Sequence, residues 1–180
     1  QPLGKTIGNT AEVLEAREAM TTGKPSDLVE LTAELAYHVL QLAKVNTTLE
    51  QIIKLMTTGK ALAKFEQMVR VQGGNLDELQ QLSWVPVKSS VTGVLKGIDC
   101  AQLGNLLTTM GGGRMQKDDS LNHHCAIRID ITVGERVQQG QTVAHICHDE
   151  PLRFTSEILS SFKWSDTHVA PLPLILETIG

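Results

Sequence analysis

Apolar residues recur with two different periods along this chain, and the change of period divides it. Leu28, Leu31, Leu35, Val39 and Leu42 return every three or four positions, which places them on one face of a helix. Ser26, directly after Pro25, is its expected N-cap. Upstream, Asn9 and Glu12 fit a capping box and predict a helix from about Thr10 to Thr21, released by Gly23 in the left-handed conformation. Thr48 and Gln51 form a second such pair ahead of Ile52, Ile53 and Leu55, with Gly59 as the stop. A further helix carries Leu62, Phe65, Met68 and Val69 and ends at Gly73-Gly74.

Between Gln81 and Ser90 the helical period is lost. Trp84, Val85, Pro86 and Val87 follow no 3.6-residue spacing, and Pro86 disfavours helix in the residue before it. A domain boundary is placed here, giving residues 1–82 and 83–180. Short β-like runs follow: Ser90 to Leu95, Ala126 to Val133, Thr142 to Cys147 and Leu172 to Thr178. Two helices interrupt them, one from about Cys100 to Met110 with Asp99 as N-cap and one from about Leu152 to Phe162. The pattern is that of an α+β chain, helical first and mixed afterwards, without a repeat of solenoid length.

Composition narrows the class. A length of 180 residues suits one or two domains, and 41% apolar with 20% charged residues is the balance of a chain that folds. The formal charge of −4, with no basic cluster, argues against nucleic-acid binding. The longest apolar stretch, Pro171 to Leu176, falls far short of the ~20 residues that cross a bilayer, and no signal pattern opens the chain. No membrane role is expected. Cys100, Cys125 and Cys147 are three and widely spaced, which reads as reduced cytoplasmic thiols rather than a disulfide framework.

Three segments hold atoms with chemical potential. Gly111-Gly112-Gly113-Arg114 could present backbone N–H groups and a guanidinium to an anion. It follows a helix rather than opening one, however, which favours a helix stop. His123-His124-Cys125 with Cys147-His148 contains zinc-binding atoms, but adjacent strand residues point to opposite faces, so ordinary strand positions are the expectation. Val133 to Ala144 has the strand-turn-strand cadence of a carrier domain but lacks the exposed lysine a carrier needs, and it is expected to be a structural hairpin. No Gly-x-Ser-x-Gly motif offers a nucleophile.

Gln1-Pro2-Leu3-Gly4, Gly8-Asn9, Glu12-Val13 and Glu15-Ala16 resemble the segment after the catalytic core of thymidine and pyrimidine nucleoside phosphorylases. Gly59 to Leu62, Phe65, Met68-Val69 and Gln72 to Gly74 continue the likeness, as do Gly93, Ile98-Asp99, Gly104, Met110 to Arg114 and Asp118. The resemblance implies a helical segment of the phosphorylase core followed by a C-terminal α/β hammerhead. It also implies phosphorolysis of pyrimidine nucleosides to free base and pentose 1-phosphate by a cytoplasmic homodimer, with the phosphate- and base-binding residues upstream of Gln1. No catalytic position falls within the chain on this reading. A potassium site is implied in part, through the backbone carbonyls of Leu3 and Thr6 and the carboxylate of Glu15, oxygen donors that suit a hard cation. The alternative is a stand-alone, non-catalytic binding or regulatory module of the same fold.

Overall fold

A computed structural model describes residues 2–79, 81–177 and 179. Gln1, which opens the resemblance, and Thr178, the end of an expected strand, lie outside the described residues. The chain forms two compact units, Gln1–Glu12 with Gln80–Leu172 and Val13–Leu79 with Pro173–Gly180. The first contains the sheets and the second is helical.

A short strand, β1 (Thr6–Ile7), leads into α1 (Asn9–Thr22). The start of α1 corrects the expected capping box by one residue. Glu12 accepts the Gly8 N–H at 3.1 Å, while the Asn9 amide reaches away from its own helix to donate to the Gly112 carbonyl at 3.1 Å. A side-chain amide can cap a helix or tether a distant loop, and here the tether wins. Gly23 ends α1 at φ 59°, where a Cβ would run into Thr57.

The helical unit continues with α2 (Asp27–Leu42), α3 (Leu49–Thr57) and α4 (Lys60–Val71). Ser26 accepts the Val29 N–H at 3.3 Å, and Thr48 with Gln51 completes both bonds of a capping box, at 3.2 and 3.0 Å. Gly59 at φ 82° and Gly73 at φ 81° bound α4. The apolar stripe of α2 is the main departure. The buried residues of α2 are Val29 and Ala33, whereas Leu35, Val39 and Leu42 are 58%, 63% and 85% exposed. Helix α2 packs within its unit through a flank about 140° away from the predicted stripe, so it is apolar on two sides.

The sheet unit holds β2 (Val85–Lys88), β3 (Gly93–Ile98), α5 (Cys100–Leu107), β4 (Ala126–Ile129), β5 (Arg136–Val137), β6 (Thr142–Cys147), α6 (Thr155–Ser160) and β7 (Phe162–Ser165). A four-stranded antiparallel sheet runs β1-β4-β6-β2, and a three-stranded one runs β5-β3-β7. In the first, Ile127 pairs with Ile146 and Ile129 with Ala144, and these side chains enter the core with Leu95, Leu103, Val137 and Ile158. Asp99 caps α5 through the Gln102 N–H at 2.9 Å, as its position predicts.

Three expectations are corrected here. The Val133 to Ala144 segment is no hairpin, because β5 pairs with β3 and β6 with β4 and β2, so its two strands enter different sheets. The helix expected over 152–162 is a 3₁₀ turn, Pro151–Phe154, then the six residues of α6, and Phe162 already opens β7. Residues 172–177 form no strand, and Pro171 and Pro173 lack the N–H groups a ladder requires.

Candidate functional site

The N-terminal segment supplies an edge strand of the four-stranded sheet. Thr6 pairs with Arg128 and Ile7 with Ile127, and the Ile129 N–H donates to the Lys5 carbonyl at 2.8 Å. The chain then turns into α1 at Gly8, where φ is 137° and a Cβ would sit 2.5 Å from the Cys125 carbonyl and 2.9 Å from the Ala126 side chain. Only a glycine permits this approach. Small residues continue the theme: Ala11 and Ala126 are buried together with Cys147, flanked by Leu82 and Trp84.

Next to this patch lies a polar cluster. Arg128 Nε donates to Asp130 Oδ1 at 3.0 Å, His145 Nδ1 contacts Asp130 Oδ2, and Arg128 Nη2 lies 3.0 Å from the same ring nitrogen. The guanidinium also stacks 5.2 Å from the Trp84 ring centre. Asp130 can only accept at that nitrogen and Arg128 can only donate to it, so the imidazole is held between a carboxylate and a guanidinium on a half-buried face. These residues escaped the sequence reading. The available signal was the alternation Ile127-Arg128-Ile129-Asp130, in which period-2 spacing puts both charges on the face away from the core.

The residues expected to hold potassium lie on consecutive elements. Leu3 precedes β1 and is half exposed, Thr6 is in β1, and Glu15 is a half-buried residue of α1 within the helical unit. Leu3 and Thr6 share one short segment of the sheet unit. Among the described residues, no group of three or more His, Cys, Asp or Glu side chains could hold a metal ion.

The remaining candidates take structural places. Cys125 is buried and its thiol donates to the Met110 carbonyl at 2.9 Å, while His148 packs edge-on against Phe154 and its Nδ1 accepts the Glu150 N–H. Burial, then Cys147 and Asp149, pushes the Cys125 thiol pKa up, and Cys147 is raised chiefly by burial. Buried, protonated thiols are poor nucleophiles. His123 faces the Asn9 amide at 3.4 Å. In the glycine run, Gly111 turns at φ 93°, and a Cβ on Gly112 or Gly113 would strike Leu107 at 2.8 Å or Thr108 at 2.6 Å. Close packing against α5 explains these glycines, and Arg114 points to solvent.

The sequence of this chain has relatives of known name. Residues 94–161 match the pyrimidine nucleoside phosphorylase C-terminal domain. The chain is 30% identical over 183 aligned positions to a thymidine phosphorylase of Mycobacterium tuberculosis, covering 99% of this chain and 42% of that protein. It is also 32% identical over 152 positions to a pyrimidine-nucleoside phosphorylase of Bacillus subtilis, covering 78% and 35% respectively. A pyrimidine-nucleoside phosphorylase of Staphylococcus epidermidis is 32% identical over 157 positions, 81% of this chain and 36% of that protein. The chain therefore corresponds to the C-terminal part of the thymidine and pyrimidine nucleoside phosphorylase family. It spans about two fifths of the length of the M. tuberculosis relative.

Proposed function

We propose that the chain serves as the distal part of a pyrimidine nucleoside phosphorylase, a pentosyltransferase that uses inorganic phosphate to cleave the N-glycosidic bond. The products are the free base and a pentose 1-phosphate. On this reading the groups that bind phosphate and base belong to a catalytic portion beyond these 180 residues, and the complete enzyme is a cytoplasmic homodimer. The sheet unit is its C-terminal α/β hammerhead domain, and the helical unit is part of the enzyme's core.

The observation that carries the reading, beside the family match, is the open apolar side of α2. Leu35, Val39 and Leu42 are more than half exposed although the opposite flank of the same helix is buried. A helix apolar on two sides belongs between two partners. The catalytic portion is the partner this proposal assigns to the open side, and removing those three side chains from water would favour the assembly by a few kcal/mol, at about 25 cal/mol per Å².

The chemistry assigned to this chain is support rather than bond cleavage. The carbonyl oxygens of Leu3 and Thr6 and the carboxylate of Glu15 are hard donors that fit a monovalent cation, and potassium is the ion proposed for them. When bound, the ion would supply local positive charge. No described helix is long and apolar enough to cross a membrane.

The test is phosphorolysis of thymidine and uridine in phosphate buffer with potassium, by the chain alone and by the chain mixed with the catalytic portion of a relative. Activity confined to the mixture is the expected result. Turnover by the chain alone would refute the proposed division of labour. A mixture that neither associates nor turns over would favour the stand-alone module.

A further inference from the structure

The helical unit contains a cleft that the proposed function does not use. It has a volume of about 290 Å³ and lies among α1, α4 and the 3₁₀ turn Leu76–Glu78 that follows them. Arg17 of α1 and Arg70 of α4 supply two guanidinium groups, and Glu66 of α4 and Asp77 of the turn supply two carboxylates. Val69 and Leu76 give it an apolar, half-buried lining. The tight reversal at Gly73-Gly74 creates the space. Gly73 turns at φ 81°, and a Cβ on Gly74 would meet the Val69 side chain at 2.8 Å.

The state of the four charges is what points to a ligand. Glu66 and Arg70 stand four positions apart on one helix, the spacing at which opposite charges ordinarily pair. Among the described residues, however, the ion pairs join other side chains, and none involves Arg17, Glu66, Arg70 or Asp77. Arg17 and Glu66 are half buried, so each gives up part of its hydration without gaining an ion-pair partner among the described residues. Asn75, at the rim, is already engaged, its amide donating to Glu78 and its carbonyl accepting the Asp77 N–H, both at 3.0 Å. The turn is thereby held in a shape that keeps the carboxylates and guanidinium groups around one opening.

We infer that this cleft is a binding site for a small phosphorylated sugar. Guanidinium groups suit phosphate oxygens, to which they donate paired N–H bonds, whereas carboxylates repel phosphate and accept well from sugar hydroxyls. A free phosphate would use only the cationic half of the site and would meet two negative charges. A neutral sugar would use only the acceptors. A phosphorylated pentose or hexose uses both, and a volume near the lower end of the range for ligand pockets suits a molecule of that size. The site stands on the helical unit by itself and does not require the catalytic assignment.

Isothermal titration calorimetry of the full 180-residue chain with D-ribose 5-phosphate tests this, with D-ribose and inorganic phosphate as separate arms. The sugar phosphate should bind saturably and more tightly than either half-ligand. Arg17→Gln and Arg70→Gln should each weaken it about tenfold, the range for a lost charged hydrogen bond. Glu66→Gln should weaken ribose 5-phosphate without weakening phosphate. All three positions lie toward the surface, and circular dichroism will confirm that the variants are folded. Absence of saturable binding, affinity for phosphate equal to that for the sugar phosphate, or wild-type binding by folded Arg17→Gln would each overturn the assignment.

Discussion

The two units of this chain bury their apolar residues to very different degrees. The sheet unit closes its own core: Leu95, Ile127, Val137, Val143, Ile146 and Ile158 are wholly inaccessible to solvent. In the helical unit the buried apolar residues among those described are Val29, Ala33 and Ile52, while Leu35, Val39, Leu42, Leu55 and Val71 face water. Both units have well-formed caps and turns. Local signals therefore specify helices equally well whether or not the surrounding fold supplies enough burial to stabilise them.

The largest expected effect separates the units directly. Ile127→Ala should destabilise the chain by about 2–5 kcal/mol in urea unfolding, because it opens a cavity in a closed core. Leu42→Ala should change stability by no more than about 0.5 kcal/mol. If the catalytic portion covers α2, the same Leu42 substitution should weaken association with it, and an effect confined to the mixture would show where the helical unit obtains its missing burial.

A smaller effect belongs to the junction of β1 and α1. Gly8→Ala forces a side chain into an unfavourable backbone region and against the Cys125 carbonyl, for a loss of about 1–3 kcal/mol. Thr48→Ala removes one bond of a complete capping box in the helical unit and should cost about 1 kcal/mol. Hydrogen exchange should localise that loss to α3 and leave β4 and β6 protected.

The smallest effect is one of pH and belongs to the sheet unit. Burial raises the pKa of Cys125 and Cys147 above the ordinary 9.0, so the folded state holds these protons more tightly than the unfolded state. The resulting stability is complete below the unfolded value and is lost as pH rises from about 9 through the folded values. Thermal melts should fall in that alkaline window, and Cys147→Ala should make the fall shallower. In native protein a thiol reagent should label exposed Cys100 well before either buried cysteine.

Much of this was legible in residue order. Ser26, Thr48 and Asp99 cap the helices they announce, Gly23 takes the left-handed turn expected of it, and Gly59 and Gly73 lie at the helix ends expected of them. The family was legible too, through residues that include Gly8, Gly74, Gly112 and Gly113, which the structure explains as points of close approach. Less accessible were the partners of extended segments. Phe162–Ser165 carries no strong alternation, yet it pairs with β3, and the apparent hairpin at 133–144 feeds two sheets. The polar cluster of Arg128, Asp130 and His145 was missed because His145 comes from a different strand, seventeen residues from Arg128.

Residue order alone set where α2, α3 and α5 start, because a cap acts within one turn of backbone and needs no distant partner. Tertiary structure decided strand partners, the recruitment of the first residues to the far sheet, and which side of α2 is buried. Each of these depends on chain segments tens of residues apart competing for the same hydrogen bonds and the same dry surface. That competition is settled only when the whole core packs.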